Sequence, residues 1–188
     1  MNVNMHRLLK EAAEAAPKAE WIGLRRCANY ISAFSAIDGK FDQGFGAADE
    51  GIMIETLYKG AFGYAATADM SREGIRRAAE QAFEAAQSAH PYAVHRFDRS
   101  VRPATQTRYA TKREKLSGIP AGETVELLCS ICGAAQVSPQ IIQTSASCEI
   151  GTSEIEIVST NGADVRQTIR FAGIGMNAVA RQGDIIQQ

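Results

Sequence analysis

Several things are scarce in this chain, and each scarcity removes a class of protein. No stretch of the 188 residues approaches the run of about 18 apolar residues that a membrane-spanning helix needs. The first sixteen residues carry Lys10, Glu11 and Glu14 and form no apolar core of a secretory leader, so a cytoplasmic location is expected. The four cysteines (Cys27, Cys129, Cys132, Cys148) lack that leader's context, which favours reduced thiols over a disulfide frame. The five prolines are few and no low-complexity run occurs. Net charge is only −1, giving no sign of a polyanionic partner for the molecule as a whole.

Catalytic signatures are missing as well. The three histidines, His6, His90 and His95, precede Arg7, Pro91 and Arg96, so no H-E-x-x-H zinc motif exists. Gly44-Phe-Gly46 and Gly60-Ala-Phe-Gly63 fit neither a dinucleotide fingerprint nor a phosphate loop and read as turns or close backbone approaches. No G-x-S-x-G is present. Cys129-Ser-Ile-Cys132 is a lone CxxC late in a helical pattern, with Cys132 on the apolar face, which is the place of a core cysteine rather than a redox pair. No catalytic and no metal-binding residue is assigned.

What is present is a clear alternation of helix and strand patterns. Residues 51–67 read as two strands joined at Lys59-Gly60, with Leu57 opposite Phe62 and Thr56 opposite Gly63. Both faces of the first of these strands carry apolar groups, which predicts a covered, central strand. Ser71 caps a following helix whose face is Ile75, Ala78, Ala79, Ala82, Phe83 and Ala86. The same spacing runs from Met5 to Ala16, ended by Pro17, and from Thr124 to Ala135, starting near Pro120. Strands are predicted at Trp21–Cys27 and Tyr30–Ile37, the latter entering a two-residue Asp38-Gly39 turn that pairs Ala36 with Phe41. Further strands cover 154–158 and 165–171, with a three- or five-residue loop centred on Gly162 between them. The last strand continues through Gly173 and Gly175 to Arg181 and a turn near Gly183-Asp184.

The expected fold is therefore α+β: antiparallel sheets with helices packed on them, in two helix-plus-strand halves of about 1–92 and 116–188. The join, about 93–115, falls in a basic stretch. Arg96 to Lys115 carry a local charge of +5 against −6 for the rest, with little apolar periodicity, so an exposed connection is expected. Only Phe97 and Tyr109 there offer rings for stacking on bases, without a repeated spacing, so a solvated linker outranks a nucleic-acid arm.

Ala19-Glu-Trp-Ile-Gly-Leu-Arg-Arg26, the Asp38-Gly39 hairpin, Gly51 to Thr67, Asp69-Met-Ser71 before an Ala-rich helix, and Ser159-Thr-Asn-Gly162 before a long strand together resemble the N-terminal domain of the TldD/PmbA family. These proteins are also called modulators or inactivators of DNA gyrase. The resemblance covers about residues 5–182 and implies a metallopeptidase family acting on peptides and loosely folded chains. It implies a zinc motif, H-E-x-x-x-H, in a separate C-terminal domain, homo- or hetero-dimers, and an N-terminal domain that helps to form the substrate cavity. Residues 1–188 then constitute that N-terminal domain alone, with no cofactor of its own, the C-terminal metal-binding domain being absent and zinc expected only there. The alternative is a stand-alone binding module touching nucleic acid or a protein partner through the basic stretch. The expected peptide or dimer contact lies on the last long strand, at Ile169, Phe171, Gly173 and Gly175, since an exposed strand edge holds extended chains through main-chain hydrogen bonds.

Overall fold

The computed structural model describes residues 3–112 and 119–188. Among them are three α-helices, α1 (Met5–Ala15), α2 (Arg72–Ala89) and α3 (Ala121–Ala135). Seven strands accompany them: β1 (Trp21–Ile37), β2 (Lys40–Tyr58), β3 (Ala61–Thr67), β4 (Gln106–Ala110), β5 (Ile141–Ser159), β6 (Asp164–Gln182) and β7 (Ile185–Gln187). The strand order is β3-β2-β1-β5-β6-β4, with β7 also on β6. This is an α+β fold. β2 and β3 pair antiparallel, as do β6 and β7, while β4 joins β6 in parallel.

Turn chemistry sets the hairpins. Asp38 and Gly39 both have positive φ (49° and 75°), and so do Lys59 and Gly60 (46° and 84°), the conformation of a two-residue turn whose twist suits the flanking strands. The β2–β3 register sets Leu57 opposite Phe62, Thr56 opposite Gly63 and Tyr58 opposite Ala61, as the sequence predicts. At the other turn the Ser35 hydroxyl donates to Asp42 Oδ2 (2.8 Å), consistent with strands meeting directly across Asp38-Gly39.

Contacts gather the chain into two units, each drawn from three segments. The first comprises Met1–Ala28, Asp49–Ala110 and Ser153–Thr168; the second comprises Asn29–Ala48, Thr111–Thr152 and Ile169–Gln188. In the first unit, Met5, Leu8 and Ala12 of α1 and Ile75, Ala78, Ala79 and Ala82 of α2 pack on Ile22, Leu24, Ile52, Ile54 and Val158. Asn4 caps α1 by accepting from Arg7 N, and Ser71 caps α2 by accepting from Gly74 N. The approach of α2 to β3 depends on Gly63. A Cβ there would lie 2.0 Å from the Ala82 carbonyl oxygen and 2.3 Å from Ala86 N, both backbone atoms that cannot swing aside. In the second unit α3 buries Leu128 and Cys132 on Ala36, Ala146 and Cys148. The Cys132 thiol lies 3.5 Å from the Ala36 carbonyl oxygen, and all four cysteines are free thiols. Asp38 closes this unit's hairpin onto β5, donating its N–H to Thr144 O (2.9 Å) and accepting from Thr144 N at Oδ1 (2.7 Å).

Three details differ from the sequence pattern. The two short strands expected at 21–27 and 30–37 are one continuous β1, because Ala28-Asn29 contains no residue that breaks a strand. The loop between β5 and β6 has four residues, 160–163. It is shaped by side chains rather than by Gly162 alone: Ala163 N donates to the Ser159 hydroxyl, and Asn161 takes the Trp21 indole N–H (2.8 Å) while its own amide donates to Arg102 O (2.7 Å). The basic stretch is exposed at 106–110, yet those residues form β4. Arg113 and Lys115, which belong to the same stretch, lie outside the described residues.

Candidate functional site: the outer edge of β6

β6 is nineteen residues long, and its two ends are treated differently from its middle. On the side away from β5, residues 164–168 pair with β4 and residues 180–182 pair with β7. Between them, residues 169–179 have no further strand among the described residues. Main-chain groups of a strand point alternately to its two sides. Arg181 N donates toward β5, to Gln140 O (2.8 Å), whereas Arg170 N donates outward to the Thr111 hydroxyl (3.0 Å). The even-numbered residues therefore face out, so the N–H and C=O groups of Ala172, Ile174, Met176 and Ala178 line the part of the edge that no described strand covers.

The side chains around this edge are apolar and exposed. Ile169 is 38% exposed, Phe171 40%, Ile174 55% and Met176 58%. A Cβ on Gly175 would lie 3.4 Å from the Ser147 hydroxyl, and one on Gly151 would meet the Phe171 ring. Gly175 and Phe171 thus share the face of β5 that bears Ser147, Glu149 and Gly151, while the neighbouring Ala146 and Cys148 belong to the cluster under α3. A groove of about 540 Å³ lies beside these residues, lined by 33–35, Gln43, Phe45, 147–149 and 171–175.

Of the four contact residues expected from the sequence, Phe171, Gly173 and Gly175 come together in the groove wall. Ile169 lies on the same strand but not in the groove lining. Sequence reasoning missed Ile174 and Met176. They alternate with Gly173 and Gly175, and that small–large alternation was the available signal for side chains spaced along one edge.

The groove contains no acid–base pair. Buried charge lies elsewhere, at Glu55 and at Arg26 in the first unit; the Arg26 guanidinium is held by Glu50 and by Glu156 (2.9 Å), with Glu154 3.8 Å away. Burial works against the charge of Arg26, but the hydrogen bonds and attraction of Glu50 and Glu156 outweigh that and raise its pKa further, so it is a fixed cation. Among the described residues no three His, Cys, Asp or Glu side chains gather as metal ligands. No described helix is long and apolar enough to cross a membrane.

Comparison with known families gives the lineage. The model for PmbA/TldA metallopeptidase domain 1 matches residues 28–86, and that for the PmbA/TldA metallopeptidase central domain matches residues 114–187. The chain belongs to the TldD/PmbA family. Three solved structures share the fold. Two are provisionally named modulators of DNA gyrase, from Bacteroides thetaiotaomicron (TM-score 0.75, 13% identity) and Thermotoga maritima (TM-score 0.72, 15% identity). The third is TldE from Thermococcus kodakarensis (TM-score 0.67, 14% identity). They match 96%, 96% and 98% of this chain, which spans 42%, 41% and 41% of theirs. No curated protein matches the chain. At these identities the structural likeness is one of fold, and the TldD/PmbA assignment itself comes from the two family models.

Proposed function

We propose that this chain is the non-catalytic part of a TldD/PmbA-type zinc metallopeptidase, forming a wall of the cavity that holds peptide substrates and part of a dimer surface. The observation that carries the reading is the edge of β6 between β4 and β7, which no strand among the described residues covers. An extended peptide laid along residues 172–178 gains main-chain hydrogen bonds from outward N–H and C=O groups, an attraction that does not depend on side-chain identity. Side-chain contact comes from Phe171, Ile174 and Met176 and is apolar and unselective, as suits loosely folded chains. An unpaired edge of this kind is also a template for a second copy, so a dimer contact and peptide capture draw on the same groups. The zinc and the hydrolytic chemistry belong to the part of the enzyme beyond these residues. Four free thiols fit a reducing, cytoplasmic setting.

The basic stretch gives less support to nucleic-acid binding. Arg102 is engaged by Glu55 and Arg108 by Asp164, which leaves fewer cations free for phosphate.

The test is binding of a fluorescein-labelled unstructured peptide, followed by anisotropy. Ile174→Pro deletes an outward N–H and should weaken binding at least tenfold, while Ile174→Val should leave it nearly unchanged. Equal binding by both variants would remove β6 from the site.

A further inference from the structure

A second pocket, wholly within the first unit, has a construction that peptide capture at β6 does not use. It lies on the face of β1 and β2 opposite the helices and encloses about 390 Å³, within the range of small-ligand sites. Its apolar surface includes Trp21, Met53, Ile157 and Val165. Trp21 lies over Gly23, where any Cβ would come within 2.3 Å of the indole ring. The indole N–H is fixed by Asn161, whose amide donates to Arg102 O, so one side chain holds both the aromatic wall and the backbone of the pocket's arginine. Arg102 grips the nearly buried Glu55 through two nitrogens (2.6 and 3.1 Å) and lies over the Phe62 ring, 4.9 Å from its centroid. Tyr64, the cross-strand partner of Glu55, completes the polar side. Arg25 is the remaining charged residue of the lining. It is exposed, and no described residue pairs with its guanidinium. With Glu55 balanced by Arg102, the pocket carries one positive charge in excess beside an apolar bed.

That combination selects a ligand with an apolar body and a single carboxylate. We propose that the pocket takes the C-terminal residue of a peptide chain, its apolar side chain against Trp21, Met53 and Ile157 and its free carboxylate at Arg25. The wall and the polar side are held in place before any ligand arrives, so little ordering is needed on binding. A free α-amino terminus or a lysine side chain would meet the wrong charge.

Trp21 is the only tryptophan, so its emission reports on the pocket alone. The intact chain is titrated with N-acetyl-Gly-Gly-Leu as the free acid, as its C-terminal amide, and with hexanoate. The free acid should give a saturable change in emission at sub-millimolar to millimolar concentration. The amide and the Arg25→Gln variant should each be at least tenfold weaker, and hexanoate should be weaker than the peptide acid. Amide binding equal to the acid, an unaffected Arg25→Gln variant, or no saturable change would overturn the proposal. Hexanoate binding as tightly as the peptide acid would overturn the peptide assignment. Ile174→Pro should leave this titration unchanged, so the outcome is independent of the β6 reading.

Discussion

In the first unit α1 and α2 cover their sheet residues so fully that Leu8, Leu24, Ile54 and Ile75 are at most 1% exposed. Among the described residues of the second unit α3 is the only helix, Leu128 is the one large aliphatic side chain in its buried cluster, and Ile174 and Met176 remain more than half exposed. The same kind of alternating strand thus ends in two states, one sealed by helices and one left accessible. Stability should follow burial: the first unit holds most of the apolar surface removed from water, and the second sits toward the low end of local stability, where binding surfaces are commonly drawn.

The comparison can be broken most forcefully in the core. Ile54→Ala in the first unit should cost about 2–5 kcal/mol in urea unfolding, the usual penalty for a cavity at a fully buried aliphatic. Leu128→Ala should speed amide exchange chiefly in α3 and the 141–152 part of β5, with α1 and α2 little changed. Equal acceleration everywhere would mean that the units open together and the contrast is false. Gly63→Ala comes next, forcing α2 off β3 at a penalty of about 1–3 kcal/mol for overpacking. An unchanged unfolding midpoint would show that the helix approach is looser than the backbone distances indicate.

A smaller effect is expected at the first unit's half-buried ion pair. Arg102→Met strands the carboxylate of Glu55, which is 8% exposed. Because the arginine side chain is 42% exposed, solvent screening should hold the loss to about 1–2 kcal/mol, below that for a wholly buried pair. Adding Glu55→Gln should recover most of it in a double-mutant cycle, and no recovery would disprove the coupling.

The smallest effect is the pH dependence of Asp164, where β4 meets β6. Arg108 holds this carboxyl below its ordinary value, with His6 adding to the shift and burial opposing it. A depressed carboxylate contributes stability that is full above the ordinary Asp value of about 4 and is lost as pH falls through the lower folded value. Asp164→Asn should therefore lower stability at neutral pH slightly and flatten the acid limb below pH of about 4. An acid limb unchanged by the substitution would remove the pair from the stability of this edge.

How much of this was readable beforehand depended on sequence distance. The α2 face, the Ser71 cap and the Leu57–Phe62 register were legible because spacing and turn residues act over a few positions. The long final strand with its two glycines was legible too, and the structure places Phe171, Gly173 and Gly175 along one groove. The parallel pairing of β4 was not, since Gln106–Ala110 is exposed throughout and has no apolar period to betray a strand. The Trp21–Asn161 contact spans 140 residues, and no local pattern announces it. The gathering of each unit from three segments was hidden too, because β1, β2, β5 and β6 each run on through the boundary without a breaking residue.

The most direct test of peptide capture is residue-resolved amide exchange on the intact protein, dilute and with saturating unstructured peptide. Strand addition at β6 predicts that Ala172, Ile174, Met176 and Ala178 exchange fast in the dilute protein and become protected with peptide. Gly173, Gly175 and Asn177, which face β5, should already be protected and change little. Full protection of the outward amides in the dilute protein, or no gain on adding peptide, would contradict capture at this edge.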